Sequence, residues 1–426
     1  FQMHTLYSLL GVVLLLAAVE STADDDWDDL QKIYQLEWQA CTGTRQHHPA
    51  CRNLRRRHPY LLLSSNPGLM QYEISSLRGI SYGIRVDAGT EPGEVFLGLL
   101  DTGSALTWLI SASCNSTCDT GKFSNCSRTC ETDDPKVHRH RFHFDSSASF
   151  RTNYTSFAYP YGLGRTVAAG FLGKDRIVAF GKRSEAQDLL VATNLTFLNF
   201  MPFDGFVGLA YPRKAPTTPL SLLESLKDVA LFTLYLKRVV EVDSDEGGFL
   251  SLGVDTNNCF PGIAWTELIN LEDEEHNFGN KWQFLMTNYS YPGYEGEEHT
   301  DVRAIVDSGT THVVADPVFI EEFVTSCGGG YEPTCGLNKA PCNSTFLDLV
   351  FYMAGREWRV KPEQYLLPRE AFPSCKVLPA GTCVMAVDGL FGQGLPDVIL
   401  GQPFLRSFCT VHDVTQAKVG FTPSRH

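Results

Sequence analysis

Two aspartates stand out by their immediate neighbours in the chain. Asp101 precedes Thr102, Gly103 and Ser104, and Asp307 precedes Ser308, Gly309 and Thr310. A glycine between hydroxyl residues lets the chain turn tightly and aim NH and OH donors back at the carboxylate, so each aspartate is expected to be held in place. One such triplet often does no more than cap a turn. Here it recurs in a single design: the apolar runs 95–100 and 302–306 end at the two aspartates, and each is answered downstream by two apolar residues and a glycine. These answering elements are Phe206-Val207-Gly208, with Gly208 107 residues after Asp101, and Ile399-Leu400-Gly401, with Gly401 94 residues after Asp307. The repeat implies two similar β lobes, each supplying one carboxylate. If the lobes meet about a pseudo-twofold axis, two carboxylates a few ångströms apart do not readily both ionise, and they share a proton. One then acts as general base on a water while the other, protonated, donates to a substrate carbonyl, and the roles exchange as the tetrahedral intermediate collapses. The pair titrates as a unit, so the proton belongs to neither residue in particular.

The elements that must position these groups are mostly strands. From about Tyr82 onward, short runs of Val, Ile, Leu, Phe and Tyr are bounded by Gly, Pro, Asn and Asp, the texture of β structure. Helices are expected only over 220–229, with Ser221 as a start, and 317–325. The chain has 426 residues, 43% hydrophobic and 20% charged, which excludes disorder over most of its length. Its 35 Lys+Arg against 49 Asp+Glu leave a net charge of −14, which argues against a phosphate-backbone partner, and the one obvious basic cluster is Arg55-Arg56-Arg57.

The segments Leu100-Asp101-Thr102-Gly103-Ser104-Ala105-Leu106-Thr107-Trp108 and Phe203-Asp204-Gly205-Phe206-Val207-Gly208-Leu209-Ala210-Tyr211-Pro212, with Ala304-Ile305-Val306-Asp307-Ser308-Gly309-Thr310-Thr311 and Val398-Ile399-Leu400-Gly401-Gln402-Pro403-Phe404-Leu405, resemble the landmarks of pepsin-like (family A1) aspartic endopeptidases made as zymogens. The resemblance spans about residues 82–423. It implies a mainly β, bilobal pepsin-like fold with pseudo-twofold related lobes and an interlobe cleft, a protein or peptide substrate, and no cofactor or metal. It implies catalytic roles for Asp101 and Asp307 and supporting roles for Thr102, Gly103, Ser104, Ser308, Gly309 and Thr310, with Ser104 and Thr310 hydrogen-bonding the carboxylates. Tyr161-Gly162-Leu163-Gly164 matches the flap, a hairpin that closes over the cleft, so Tyr161, Gly162, Gly164 and Trp108 are expected in flap and substrate binding. The Tyr161 hydroxyl would pair with the Trp108 indole, although Tyr159 is close enough to compete for that role. Departures are a Cys-rich insert in the N-terminal lobe, Cys114 to Cys130, a basic His-rich stretch after it, and Gln402 where pepsin has an acidic residue, which bears on subsite preference and acid optimum. An alternative is a catalytically silent pepsin-fold binding glycoprotein, against which the intact aspartates, hydroxyls and flap tyrosine argue. A two-carboxylate glycosidase would show no lobe duplication.

The expected organisation is a signal peptide (1–23), a leader or prosegment (24–75), an N-terminal lobe (76–240) and a C-terminal lobe (241–426). The apolar stretch 6–19 is short for a membrane span and ends in small residues, so cleavage is expected, with an uncleaved anchor as the alternative. The leader has an acidic start at 24–29 and a basic end at 52–58, and covers an acidic cleft in the prosegment reading or is a solvated extension in the bland one. Six sequons begin at Asn115, Asn125, Asn153, Asn194, Asn288 and Asn343, in keeping with the secretory pathway and a secreted or lysosomal/vacuolar destination. In that setting the 13 cysteines read as disulfides, the Cys114-x3-Cys118 and Cys126-x3-Cys130 spacing as a stapled loop before a zinc site, and the odd cysteine as one of the seven in the second half. The family resemblance pairs Cys342 with Cys375 or Cys383. His138, His140 and His143 alternate in a way that suits a metal, but they lie in a solvated polar stretch. The mature protein is expected to be a monomer with no stable membrane span and no nucleic-acid partner.

Overall fold

The computed structural model describes residues 61–63, 69–114, 116–118, 140–161, 166–196, 203–212, 219–226, 228–238, 246–269, 281–296, 300–373, 375–389 and 395–425. The chain divides into two units, 1–68 and 69–426. In the first, strand β1 (Leu61–Leu63) is described; the expected signal peptide, residues 24–60 and 64–68 of the leader, and with them Cys41 and Cys51, lie outside the described residues.

The larger unit is built from strands, as expected. Its first half contains β2 (Met70–Leu77), β3 (Ser81–Ala88), β4 (Glu94–Asp101), β5 (Thr107–Ile110), β6 (Arg151–Tyr161), β7 (Thr166–Ala179), β8 (Lys182–Thr196) and β9 (Gly205–Gly208). A one-turn helix, α1 (Leu222–Ser225), precedes β10 (Leu231–Leu236), β11 (Glu246–Leu252) and β12 (Ala264–Glu267). The second half contains β13 (Gln283–Met286), β14 (Asn288–Ser290), β15 (Val302–Val306), β16 (Val313–Ala315) and helix α2 (Pro317–Ser326). Strands β17 to β22 and helix α3 (Pro362–Tyr365) fall between Gly330 and Met385, followed by β23 (Val387–Gly389), β24 (Val398–Leu400), helix α4 (Gln402–Ser407), β25 (Phe408–Asp413) and β26 (Lys418–Pro423).

The repeat read in the sequence is a repeat of strand pairings. In the first half β4 runs parallel to β9, β9 antiparallel to β5, and β5 parallel to β8. In the second, β15 runs parallel to β24, β24 antiparallel to β16, and β16 parallel to β23. Where they flank the aspartates, these strands are apolar because both faces are covered there: Leu100, Val207, Ala304, Val306 and Leu400 are fully buried. One long sheet, in the order β12-β26-β25-β10-β11-β2-β3-β4-β9-β5-β8-β7-β6, carries the first motif and continues through the last strands of the chain. The second motif forms its own sheet, β13-β15-β24-β16-β23.

Helix α2 matches its expected span, with Asp316 as N-cap accepting from the Val318 and Phe319 backbone N–H at 2.9 and 3.1 Å. Helix α1 is shorter than the 220–229 expected. It starts on a Ser221/Glu224 capping box, but Leu226 already leaves helical geometry and Asp228 sits in the left-handed region at φ 75°. Disulfides join Cys114–Cys118, Cys259–Cys409, Cys335–Cys375 and Cys342–Cys383. Cys383 is therefore the partner of Cys342, Cys114 and Cys118 staple the start of the insert, and the odd cysteine of the second half is Cys327, buried at the C-cap of α2 with a free thiol. Cys126 and Cys130 lie outside the described residues.

Candidate active site

Strands β4 and β15 each deliver an aspartate at their C-terminal ends, into turns shaped by the partner strands. Asp101 stands opposite Gly208 in the β4–β9 register, and its carbonyl accepts from the Leu209 N–H at 2.8 Å. Asp307 donates its N–H to the Leu400 carbonyl at 3.2 Å. The glycines of the answering elements are sterically required. A β-carbon on Gly208 would lie 2.5 Å from the Ala105 carbonyl carbon, and one on Gly401 would lie 2.1 Å from the His312 carbonyl oxygen. Backbone therefore crosses backbone at the same point of both motifs.

Each carboxylate is held by its own turn. The Gly103 N–H donates to Asp101 Oδ1 at 2.9 Å and the Ser104 hydroxyl to Oδ2. The Gly309 N–H donates to Asp307 Oδ1 at 2.8 Å and the Thr310 hydroxyl to Oδ2 at 2.6 Å. The turns also abut across the pseudo-twofold axis. A β-carbon on Gly103 would sit 2.4 Å from Asp307 Oδ2, and one on Gly309 would sit 2.6 Å from Asp101 Oδ1 and 3.2 Å from Asp307 Oδ1. Both carboxylates thus face one small volume, and neither glycine tolerates a side chain.

Behind them lies an exchange that the sequence pattern assigns only in general terms to Thr102 and Ser308. The Thr102 N–H donates to Ser308 Oγ at 3.0 Å, and the Ser308 N–H donates to Thr102 Oγ1 at 2.9 Å. Thr102 Oγ1 donates to the Val306 carbonyl at 3.1 Å and Ser308 Oγ to the Leu100 carbonyl at 2.7 Å. Both side chains are fully buried. The signal for this is present in the chain as a hydroxyl residue after each aspartate; its reciprocity is not.

Burial raises the Asp101 pKa to about 7, and the nearby Asp307 charge adds to the rise. The Ser104 hydroxyl, the Lys281 ammonium and the Gly103 N–H oppose it. Such an acid holds its proton well into the range where an ordinary carboxyl is ionised.

Tyr161 ends β6, and Trp108 Nε1 donates to its hydroxyl at 2.9 Å. The ring packs 4.9 Å from both Phe206 and Tyr159. The indole–phenol pair lies beside the hydrogen bond from Ser104 to the Asp101 carboxylate. Burial pushes the phenol well above its usual range, so it stays neutral. Gly162 and Gly164 lie outside the described residues.

Two further residues touch the turns. Gln402 is fully buried at the first turn of α4, where its Nε2 donates to the Ser308 carbonyl at 3.2 Å; it braces the back of the turn that holds Asp307. No sequence feature points to Lys281, yet its Nζ donates to the Gly103 carbonyl at 2.8 Å. The histidines are occupied separately: His140 pairs its ring Nδ1 with the Val95 carbonyl at 2.9 Å, and His143 pairs with Glu94 at 3.3 Å. His138 lies outside the described residues.

The model of the family described as eukaryotic aspartyl protease matches residues 81–424. Aspartic protease 17 of Caenorhabditis elegans is 30% identical over 351 residues, covering 79% of this chain and 81% of the relative. Gastricsin of Suncus murinus is 28% identical over 364 residues, covering 82% and 83%, and gastricsin of Homo sapiens is 26% identical over 363 residues, covering 82% and 83%. The chain belongs to the eukaryotic aspartyl protease family. Its enzyme class is aspartic endopeptidase, with a peptide substrate. Among the described residues no helix is long and apolar enough to cross a membrane.

Proposed function

We propose that Asp101 and Asp307 are the catalytic dyad of this endopeptidase and that it is made as a secretory zymogen, with a signal at 1–23 and a leader at 24–75 ahead of lobes 76–240 and 241–426. The observation that carries the catalytic reading is the mutual packing of the two turns, in which Gly103 meets Asp307 and Gly309 meets Asp101. With one proton shared, the ionised carboxylate takes a proton from a water, and the resulting hydroxide attacks the scissile carbonyl. The protonated carboxyl donates to the carbonyl oxygen, giving a neutral gem-diol intermediate. On collapse, the carboxyl that took the water proton gives it to the leaving amide nitrogen, the other carboxylate takes a proton from a gem-diol hydroxyl, and the C–N bond breaks, which leaves the dyad again with a single proton.

The hydroxyl and N–H donors of Ser104, Gly103, Thr310 and Gly309 fix both carboxylates before substrate arrives, so little reorganisation is required during reaction. Tyr161, tied to Trp108, positions the flap strand over the Asp101 side. The exposed Asn153, whose Oδ1 accepts from the Thr155 hydroxyl at 2.7 Å, is an accessible acceptor in keeping with glycosylation.

The test is secretion from eukaryotic cells followed by acid proteolysis of a denatured protein. The secreted enzyme should begin downstream of the leader after acid treatment, shift in mass with an N-glycosidase, and be blocked by a statine-type inhibitor. Asp101→Asn and Asp307→Asn should each lower kcat by about 10³-fold or more. Full activity in either variant would exclude the dyad.

A further inference from the structure

Lys281 is placed by its neighbour. Trp282 is fully buried, donates its indole N–H to the Leu209 carbonyl at 2.8 Å, and accepts at its own carbonyl from the Val306 N–H at 3.2 Å. One contact lies just after the answering element of the first motif, the other just before Asp307. The backbone at Lys281 is therefore pinned between the two active-site motifs, and Gln283 N–H donates to the Lys281 carbonyl at 2.8 Å. From this anchor the half-buried side chain reaches the Gly103 carbonyl at 2.8 Å. Gly103 is the residue whose α-carbon packs on the Asp307 carboxylate.

An ammonium has three N–H donors, and this carbonyl takes one. Among the described residues Lys281 makes no close ion pair with a carboxylate; its charge acts on Asp101 only from beyond direct contact, with an effect smaller than that of burial. A cation so close to the reacting centre, partly withdrawn from water and bonded there to a neutral carbonyl, is suited to an incoming anion. The anion a peptidase brings there is a carboxylate of its substrate.

We propose that Lys281 is a specificity-determining residue that binds the carboxylate of an Asp or Glu side chain close to the scissile bond of the peptide substrate. This rests on reading Asp101 and Asp307 as the dyad. The contact is charge-assisted and half-buried, a class of interaction that amounts to about a tenfold preference for Glu over its neutral isostere Gln.

The test uses the mature enzyme and matched peptides that differ only by Glu or Gln at each position flanking the cleaved bond, with kcat/KM measured at about pH 5.5, where a Glu side chain is ionised. The unmodified enzyme should prefer Glu about tenfold at one position, and the preference should disappear near pH 3, where that carboxyl is protonated. Lys281→Met should bring the Glu/Gln ratio at that position to about one, and Lys281→Arg should retain most of it. The ratio is internal to each enzyme, so a general loss of activity does not mimic the effect. Equal Glu and Gln rates in the unmodified enzyme overturn the proposal without any variant, as does a ratio unchanged in Lys281→Met. Failure of the unmodified enzyme to cleave any peptide would instead strike at the dyad reading.

Discussion

Asp101 and His412 are both buried, and with pH they act on stability in opposite directions. The folded state raises the Asp101 pKa from 3.8 to about 7, so it holds that proton more tightly than the unfolded chain does. Stability from this group is full below about pH 4 and declines as pH rises toward 7. His412, on β25, is fully buried, stacked 4.5 Å from Phe232 and edge-on 4.7 Å from Trp282. Burial lowers its pKa from 6.5 to about 3, against a smaller upward pull from the Thr410 backbone. Its stability is full above about pH 6.5 and is lost as pH falls toward 3, because the unfolded chain takes up a proton that the folded one refuses. Replacing it with a ring that does not titrate should help in acid. His412→Phe should gain on the order of 3 kcal/mol relative to the unmodified protein between pH 7 and pH 4.5, read from denaturant unfolding at both values. An equal difference at the two pH values would exclude the effect. Nothing in the sequence marks His412, since a histidine in an alternating strand looks the same whether it faces water or an aromatic cage. The aspartates were legible because their chemistry needs specific neighbours, and those neighbours adjoin them in the chain.

The two motifs are legible as elements for a related reason. A glycine after two apolar residues is what remains when one backbone must cross another, and Gly208 and Gly401 mark that crossing in each half. Gly401→Ala would drive a β-carbon into the His312 carbonyl and should cost about 1–3 kcal/mol or more, with loss of activity, because the displaced turn is the one that holds Asp307. A melting temperature within a degree of the unmodified protein would show that the crossing relaxes easily. Helix α1 falls short of its pattern because helical spacing over 220–229 says nothing of Asp228, whose left-handed backbone lies within that span. Lys281 was illegible for a different reason: its position depends on Trp282 bridging two motifs distant in sequence, and no local pattern encodes that bridge.

At the scale of the molecule, Thr102 and Ser308 join the two halves through four hydrogen bonds that satisfy buried donors on both sides. Thr102→Val removes the hydroxyl, strands the Ser308 N–H and should destabilise by about 1–3 kcal/mol. Ser308→Ala should do much the same, since it strands the Thr102 N–H and the Leu100 carbonyl; the two hydroxyls share no hydrogen bond, but each is positioned by backbone that the other holds, so the double variant should cost less than the sum. Additive losses in a double-mutant cycle would mean the two residues act independently. The family resemblance made the two-lobed arrangement legible, whereas the disulfide partners and the identity of the odd cysteine required the fold. That odd cysteine has a practical consequence. Cys327 is a buried thiol at the end of α2, its pKa raised by burial, in a chain whose other described cysteines are all paired. Alkylation there must wait for the α2 corner to open, so the rate of mass gain in a pulse of iodoacetamide is a clock for local opening that leaves the cleft untouched.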